Sequence, residues 1–449
     1  MSRHAIVLGL GETGLSCVTY LLSQGYDVTV CDTRPMPPLL EGLRKRHPQV
    51  PVLTGALREE VLGGADLLAL SPGLSLKESA IAIARRQGVA IVGDIELFAR
   101  ACLAPVIAIT GSNGKSTVTT LVGDLLKGAG FKVAVAGNIG VPVLSLLAEP
   151  PPDVYVLELS SFQLETTASL NAQAATVLNV SPDHMDRYED LAEYAHAKAR
   201  IFTGTGRMVI NRDDPWVITM AHEDREVVSF GLNRPIGHDF GLIDHVGEPW
   251  IARGRQPLMP VAAVPLPGRH NIANVMAAFA LATTVSRDLP AMVKAAASFQ
   301  GLAHRTEVVG RHEGVEWIDD SKGTNVGATT AAMAGLVGRV VLIAGGDGKG
   351  ADFSPLAPVI RDKARAVVLI GRDAKRIEEA VRGSCPIVHA GDMDEAVRLA
   401  RDYAEPGDHV LLSPACASFD MYRNYAHRGE VFADAVRRLV IGRQGGGHG

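Results

Sequence analysis

Pro105-Val106-Ile107-Ala108-Ile109-Thr110-Gly111-Ser112-Asn113-Gly114-Lys115-Ser116-Thr117 is the stretch on which the reading of this chain turns. Its first part is apolar and β-branched, a strand. The rest is a glycine-punctuated turn that runs into the helix-compatible residues 118–127. A strand, a tight loop and a helix N-terminus form an anion cradle: backbone N–H groups converge on a phosphate, and the helix dipole adds roughly half a positive charge. Lys115 can reach the β- and γ-phosphates, and the Ser116 hydroxyl can ligate the accompanying magnesium. Gly111, Asn113, Gly114 and Thr117 complete the candidate phosphate loop. The full G-x-x-x-x-G-K-[ST] pattern asks for a glycine where Ile109 stands, so this is a shortened variant. The stretch predicts a site for a nucleoside triphosphate.

Around it lies a chain of 449 residues, enough for two or three domains. With 47% hydrophobic and 21% charged residues it reads as a soluble globular enzyme. A formal net charge of −5 gives no basic footprint for nucleic acid. The five cysteines are scattered, with no C-x-x-C pair, as expected of reduced thiols in a cytoplasmic protein. The first apolar run, residues 5–8, is too short for a signal peptide, and none approaches the ~20 residues that span a bilayer.

Strand and helix patterns alternate through residues 5–92, restart near Gly93, and restart again after Gly301. Alternation at this spacing predicts parallel sheets with crossover helices. The expected domains are residues 1–93, 94–301 and 302–449, three consecutive α/β units. Between residues 211 and 266 helical periodicity fades, and short apolar runs at 226–230 and 250–252 suggest small antiparallel strands. The glycine-rich end, residues 442–449, is expected to fray.

Gly9-Leu10-Gly11-Glu12-Thr13-Gly14 follows the first strand and opens the first helix, and Asp32 ends the second strand about 20 residues on. The pattern fits a nicotinamide dinucleotide, but a UDP-linked ligand satisfies the same demands: close backbone approach for a diphosphate and a carboxylate facing a nucleoside. Ser71-Pro72-Gly73 adds small residues on the same sheet edge. In the middle of the chain Glu158 leaves a strand beside the phosphate loop, the usual second protein contribution to magnesium. His184, in the polar loop 179–188, has the chemistry to ligate a metal, orient a phosphate or move a proton. Asn113, Asn138 and Asn274 are amides beside glycines, suited to sugars, phosphates or adenine, or simply to turn stabilisation. The last third places Arg305, Asp320, Lys322, Thr324, Lys349 and Ser418 in loops after predicted strands, a cation-rich edge suited to an anionic small substrate.

These residues together resemble the ATP-dependent Mur ligases of peptidoglycan synthesis. The shortened phosphate loop is that family's own version. Leu157-Glu158-Leu159-Ser160-Ser161-Phe162-Gln163-Leu164-Glu165, Asp183-His184-Met185-Asp186-Arg187-Tyr188 and Leu412-Ser413-Pro414-Ala415-Cys416-Ala417-Ser418-Phe419-Asp420 are similar to the branch that joins D-glutamate to UDP-N-acetylmuramoyl-L-alanine (UDP-MurNAc-L-alanine). The resemblance implies a Rossmann-like N-terminal domain, a P-loop ATPase-like central domain and a Rossmann-like C-terminal domain. It implies ATP and magnesium, an acyl-phosphate route, and a monomer acting on small molecules with neither nucleic acid nor membrane as partner. By similarity, Lys115, Ser116 and Glu158 hold the phosphates and first metal, and His184 and Lys198 match a second metal site.

In the family this lysine is carbamylated; the residues alone would leave Lys198 a solvated helix lysine. Asn271, Asn274, Arg305 and Asp320 carry over to the nucleotide. Thr13, Asp32, Thr33, Arg34, Ser71 and Gly73 carry over to the UDP end, and Asn138 to the middle of that substrate. Lys322, Thr324, Lys349, Ser418 and Tyr425 carry over to the D-glutamate pocket. Gly323 stands where the family more often has Ala, which implies a slightly looser loop.

Two other classes compete. A nicotinamide dehydrogenase would leave the Lys115 loop and the last domain without a role, and a non-catalytic nucleotide sensor would not need Lys115, Glu158 and His184 together. A sister ligase sharing the central loop is a third reading, to be separated by the amino-acid pocket around Lys349 and Ser418.

Overall fold

The computed structural model describes residues 3–441, and within them the strands gather into three sheets. The first contains β1 (His4–Leu8), β2 (Asp27–Asp32), β3 (Val52–Thr54), β4 (Leu67–Leu70) and β5 (Ala90–Val92), in the order β3-β2-β1-β4-β5. All its pairings are parallel.

The second has nine strands. They are β6 (Val106–Thr110), β7 (Val133–Gly137), β8 (Val154–Glu158), β9 (Ala174–Val177), β10 (Arg207–Asn211), β11 (Val227–Phe230), β12 (Phe240–His245), β13 (Glu248–Arg253) and β14 (Gln256–Pro260). Their order is β14-β13-β12-β11-β10-β9-β6-β8-β7. The third holds β15 (Glu307–His312), β16 (Val315–Asp319), β17 (Val340–Gly345), β18 (Ala364–Ile370), β19 (Ile387–His389) and β20 (His409–Leu412), in the order β15-β16-β20-β17-β18-β19. The expected α/β architecture is what the chain adopts. The tail at residues 442–449 lies outside the described residues.

β6 shows why an apolar run makes a central strand. All five of its residues are buried. Ile107 and Ile109 pack with the helices Lys115–Gly128 and Arg269–Ala282, while Val106 and Ala108 face the opposite way into a core continuous with that of the N-terminal sheet. A strand covered on both faces reads as an unbroken apolar run. The helix Asp94–Ala101 joins the first two sheets, and its Phe98 meets Tyr155 edge-on with ring centroids 5.1 Å apart.

One expectation fails. The apolar run at residues 226–230 suggests an antiparallel strand, but β11 runs parallel to β10 and extends the central sheet. The connection through residues 212–226 carries the short helix Pro215–Ile218 and is long enough for the crossover that a parallel pair requires. Antiparallel pairing begins only at β12, β13 and β14. The edge strands β3 and β15 carry no clear sequence signal, whereas the apolar runs of β5 and β10 are short and are not read as strands from the sequence. β6 sits between β8 and β9, so its carboxyl end opens where successive connections leave to opposite sides, the crevice in which α/β sheets bind ligands.

Candidate active site

The phosphate loop leaves β6 at Gly111 and enters the helix Lys115–Gly128 through Gly114, whose φ of 84° is left-handed. A side chain at Gly114 would be strained in the backbone and would also meet Asn274 Oδ1 at 2.7 Å. The loop is pinned to the β9 exit: Asn113 N–H donates to Asn179 Oδ1 at 2.8 Å, and Asn179 Nδ2 donates back to Asn113 O at 3.0 Å. Lys115 folds over the loop and donates to Gly111 O at 2.9 Å and Ser112 O at 3.0 Å. Lys198, only 1% exposed on the helix Leu191–Ala199, donates to the same Gly111 oxygen at 3.0 Å. Two lysine nitrogens thus share one carbonyl. Burial holds both lysines below their ordinary range, and for Lys198 the neighbouring Lys115 pushes further the same way. The Lys198 Nζ also lies 4.3 Å from the centroid of the Tyr194 ring. Lys198 is therefore a buried amine, not the solvated lysine that its helical setting suggests.

Glu158 ends β8, 1% exposed. Its Oε1 accepts from Asn138 Nδ2 at 2.8 Å, while its buried Oε2 has no hydrogen-bond partner among the described residues. An unpaired buried carboxylate oxygen is costly unless a cation meets it. Beside it, His184 has a left-handed φ of 58° and packs edge-on against Phe162, centroids 4.8 Å apart. Burial outweighs the raising effect of Asp183 and, with the cations Lys349 and Lys115, holds His184 below its ordinary value.

The C-terminal sheet supplies the other wall. Arg305 reaches across and donates to Ser116 Oγ at 2.7 Å. Asp320, buried, accepts from Ser413 Oγ at 2.7 Å and from Thr306 N–H at 3.2 Å, and burial pushes its carboxyl up to about 7. Lys322, 3.9 Å from the Tyr425 ring centroid, is pushed down to about 8 by burial and by the cations Arg305 and Lys115. At Gly323 the loop is full, not loose: a Cβ there would lie 2.5 Å from Asp320 Oδ2 and 2.6 Å from Ser413 Oγ. Buried Arg428 braces the pocket from behind, donating to Ser321 O at 2.8 Å, Ser321 Oγ at 3.0 Å and Cys416 O at 3.1 Å.

Two adjoining cavities result. A cleft of about 470 Å³ brings together Lys115, Ser116, Asn138, Glu158, His184 and Lys198 with Arg305, Lys322, Thr324, Lys349, Ser418 and Tyr425. A second, of about 370 Å³, is lined by Thr117, Asn271, Asn274 and Asp320, and it shares Asn113, Gly114, Arg305 and Lys322 with the first.

Thr13, Asp32, Thr33, Arg34, Ser71 and Gly73 line neither cavity; they gather at the carboxyl edge of the first sheet. Asp32 is saturated there. Its Oδ2 accepts from Leu10 N–H at 2.7 Å and Arg34 Nη2 at 2.6 Å, and its Oδ1 from Arg34 N–H and Nε, both at 2.9 Å. The Arg34 guanidinium holds this carboxyl down at about 2. Arg187 ties this edge to the His184 loop, donating to Pro72 O at 3.2 Å, Leu74 O at 3.0 Å and Glu165 Oε2 at 2.8 Å.

Comparison with known proteins agrees with this layout domain by domain. Residues 3–93 match the Mur ligase MurD-like N-terminal domain, residues 109–282 the Mur ligase middle domain, and residues 304–416 the Mur ligase glutamate ligase domain. The chain belongs to the Mur ligase family. Among Mur ligases it is 53% identical to the UDP-N-acetylmuramoylalanine–D-glutamate ligase of Thiobacillus denitrificans, covering 98% of this chain and 97% of that one. It is 51% identical to the Pseudomonas aeruginosa protein of the same name, over 97% and 98% of the two chains. Solved structures share the fold at much lower identity. MurF from Thermotoga maritima, in complex with ADP, superposes with a TM-score of 0.61 at 17% identity, covering 98% of this chain and 96% of that one. A pseudomurein peptide ligase type C from Methanothermus fervidus gives 0.59 at 18%, covering 98% and 100%.

In this Mur ligase the sequence reading passed over Asp183 and Asn325, which the fold brings against the phosphate loop. The signal available was their place in polar loops at strand ends; their contacts are long-range and leave no local pattern. Among the described residues no helix is long and apolar enough to cross a membrane, and all five cysteines are free.

Proposed function

We propose that this Mur ligase joins D-glutamate to the carboxylate of UDP-MurNAc-L-alanine, converting ATP to ADP and phosphate, in peptidoglycan precursor synthesis. The observation that carries the reading is the single cleft in which the Lys115 loop, the unpaired Glu158 oxygen and the Lys322–Lys349 wall converge. Full-length relatives bearing that enzyme name support the choice of substrates.

A carboxylate is a poor electrophile until it is converted to a mixed anhydride. A substrate carboxylate oxygen attacks the γ-phosphorus, the bond to the β-phosphate oxygen breaks, and ADP leaves. The D-glutamate amine then attacks the acyl carbon, and the tetrahedral intermediate collapses with loss of phosphate and a proton. Both steps demand neutralisation of phosphate charge more than covalent help from the protein. Gly111, Asn113, Gly114, Lys115, Ser116 and Thr117 hold the triphosphate. Asn271, Asn274, Arg305 and Asp320 hold the rest of the nucleotide, in the adjoining cavity.

Thr13, Asp32, Thr33, Arg34, Ser71 and Gly73 receive the UDP end, and Asn138 the middle of that substrate. Lys322, Thr324, Lys349, Ser418 and Tyr425 receive D-glutamate. Magnesium fits Glu158 and Ser116 as hard oxygen donors, with His184 and Lys198 at a second position, and supplies charge neutralisation there. Lys198 suits carbamylation: a neutral amine attacks carbon dioxide and loses a proton, leaving a carboxylate-like group. We place the domain boundaries after residues 93 and 301 and read the enzyme as a cytoplasmic monomer.

The test is ADP release by the purified protein with UDP-MurNAc-L-alanine. Release that depends on D-glutamate, with a product heavier by one glutamyl residue, is expected. Turnover without an amino acid, or only with a different one, would refute the proposal.

A further inference from the structure

Asn325 caps the helix Val326–Gly335, its Oδ1 accepting the Ala328 N–H at 2.8 Å. A cap needs only that oxygen, and Ser or Asp would serve as well. The amide also carries two N–H donors, and here they are used. Asn325 Nδ2 donates to Asn113 Oδ1 and to Asp183 Oδ2, each at 3.1 Å, while Asn113 Nδ2 approaches Asn325 Oδ1 at 3.4 Å. Asn113 belongs to the phosphate loop. Asp183 precedes His184 and accepts its backbone N–H at 3.0 Å. One side chain of the C-terminal region, 8% exposed, therefore meets two separate loops of the central region. The first turn of its helix is pressed against the same place: a Cβ on Gly327 would lie 2.9 Å from Ser181 Oγ.

We propose that Asn325 is a positioning residue for the ligase reaction, a latch that sets the phosphate loop and the Asp183–His184 loop in register once the C-terminal sheet is seated. The proposal builds on the reading of the cleft given above. Asn325 acts through Asn113 and Asp183, not by chemistry of its own. A buried N–H donor on a carboxylate is among the stronger hydrogen bonds, and its loss leaves that oxygen unpaired. Because the latch spans the cleft, its effect falls on turnover, while the UDP edge of the first sheet is untouched.

Asn325→Ser and Asn325→Asp separate latch from cap. Both keep the capping oxygen, so Asn325→Ser is expected to unfold within about 2 °C of the wild type, and Asn325→Asp somewhat lower because its carboxylate repels that of Asp183. Serine is too short to reach both loops, and aspartate turns a carboxylate on Asp183. In Asn325→Ser, kcat for amino-acid-dependent ADP release is expected to fall roughly 10- to 100-fold, and further in Asn325→Asp. The KM for UDP-MurNAc-L-alanine stays within about twofold, and the magnesium concentration for half-maximal rate rises as the His184 loop loosens. Wild-type kcat in folded Asn325→Ser would overturn the proposal, since the residue would then be only a cap. A kcat loss in Asn325→Ser matched by a parallel fall in unfolding temperature would overturn it too. Turnover with an amino acid other than D-glutamate would refute the substrate reading alone, leaving the kcat ratio of variant to wild type as the test of Asn325.

Discussion

The first two sheets each send a glycine-rich loop from a central parallel strand into a helix, yet the two loops are built for opposite charge regimes. In the first, Gly9 has a φ of 91°, and a Cβ on Gly14 would lie 1.9 Å from Gly9 O, so the turn is as tight as a backbone allows. The Asp32 carboxylate accepts Leu10 N–H in this turn and is neutralised by Arg34. In the second, half-buried Lys115 and buried Lys198 converge on Gly111 O, and among the described residues no carboxylate is in hydrogen-bond contact with either. The first loop is suited to holding a diphosphate that does not react. The second brings the Lys115 side chain to the place where, on the function proposed above, a phosphoryl group moves. Similar loop grammar thus leaves the chemistry to be decided by what surrounds it.

The largest effect should come from removing the cation that separates the two. Lys115→Ala is expected to lose roughly 10³-fold or more in turnover while staying folded, the scale of such electrostatic contributions. Near-wild-type turnover in the folded variant would erase the distinction between the loops.

Lys198→Ala should come next, nearly inactive but partly restored by acetate or formate, which can occupy the space of a carbamate. Lys115→Ala serves as the control without rescue. Rescue of neither variant, with no added mass on Lys198 in the wild type, would make Lys198 a plain cation.

A smaller effect is expected at the first loop. Asp32→Ala frees Leu10 N–H and Arg34 and should raise the KM for the UDP substrate about tenfold, on the scale of one or two charge-assisted hydrogen bonds. The KM for ATP should not move. A rise in the ATP value instead would show that the two loops do not divide the substrates.

The smallest effect is a matter of pH. Asp320 holds its proton up to about 7 in the folded chain, against 3.8 for an ordinary aspartate carboxyl. Between those values the folded state binds the extra proton, so this group's contribution to stability is full at low pH and is lost as pH rises towards 7. Lys322, at about 8 instead of 10.5, acts with the opposite sign, adding stability as pH rises above 8. Thermal unfolding of the nucleotide-free protein from pH 5 to 7.5 should therefore show a decline of a few degrees that Asp320→Asn lacks. Parallel curves would argue against a buried acid there. Asp32, at about 2, contributes no slope in this range.

Both loops are legible in the sequence because each packs its signal into a dozen contiguous residues: an apolar run, glycines, a helix start. Glu158 is legible for the same reason, ending a buried strand. Lys198 is not, because its burial depends on β6 and Tyr194, and β6 is remote in sequence. Direction of pairing is equally non-local, which is why the apolar run of β11 misleads when read alone. The strands β3 and β15 sit at sheet edges with residues such as Leu53, Glu307 and Val308 exposed, so the alternation that marks a half-buried strand is absent.

The guanidinium of Arg428 has a mechanical consequence for the amino-acid pocket. It is planar and rigid, and it clasps the Ser321 and Cys416 carbonyls at once. These residues belong to the two loops that carry Lys322 and Ser418. The rear of the pocket is thereby held at a fixed spacing by one buried side chain. Lysine, a point charge on a flexible stem, lacks the planar fork that fixes the spacing of the two carbonyls. The two loops then shift as one piece, so Lys322 and Ser418 keep a common frame, like two arms bolted to one bracket.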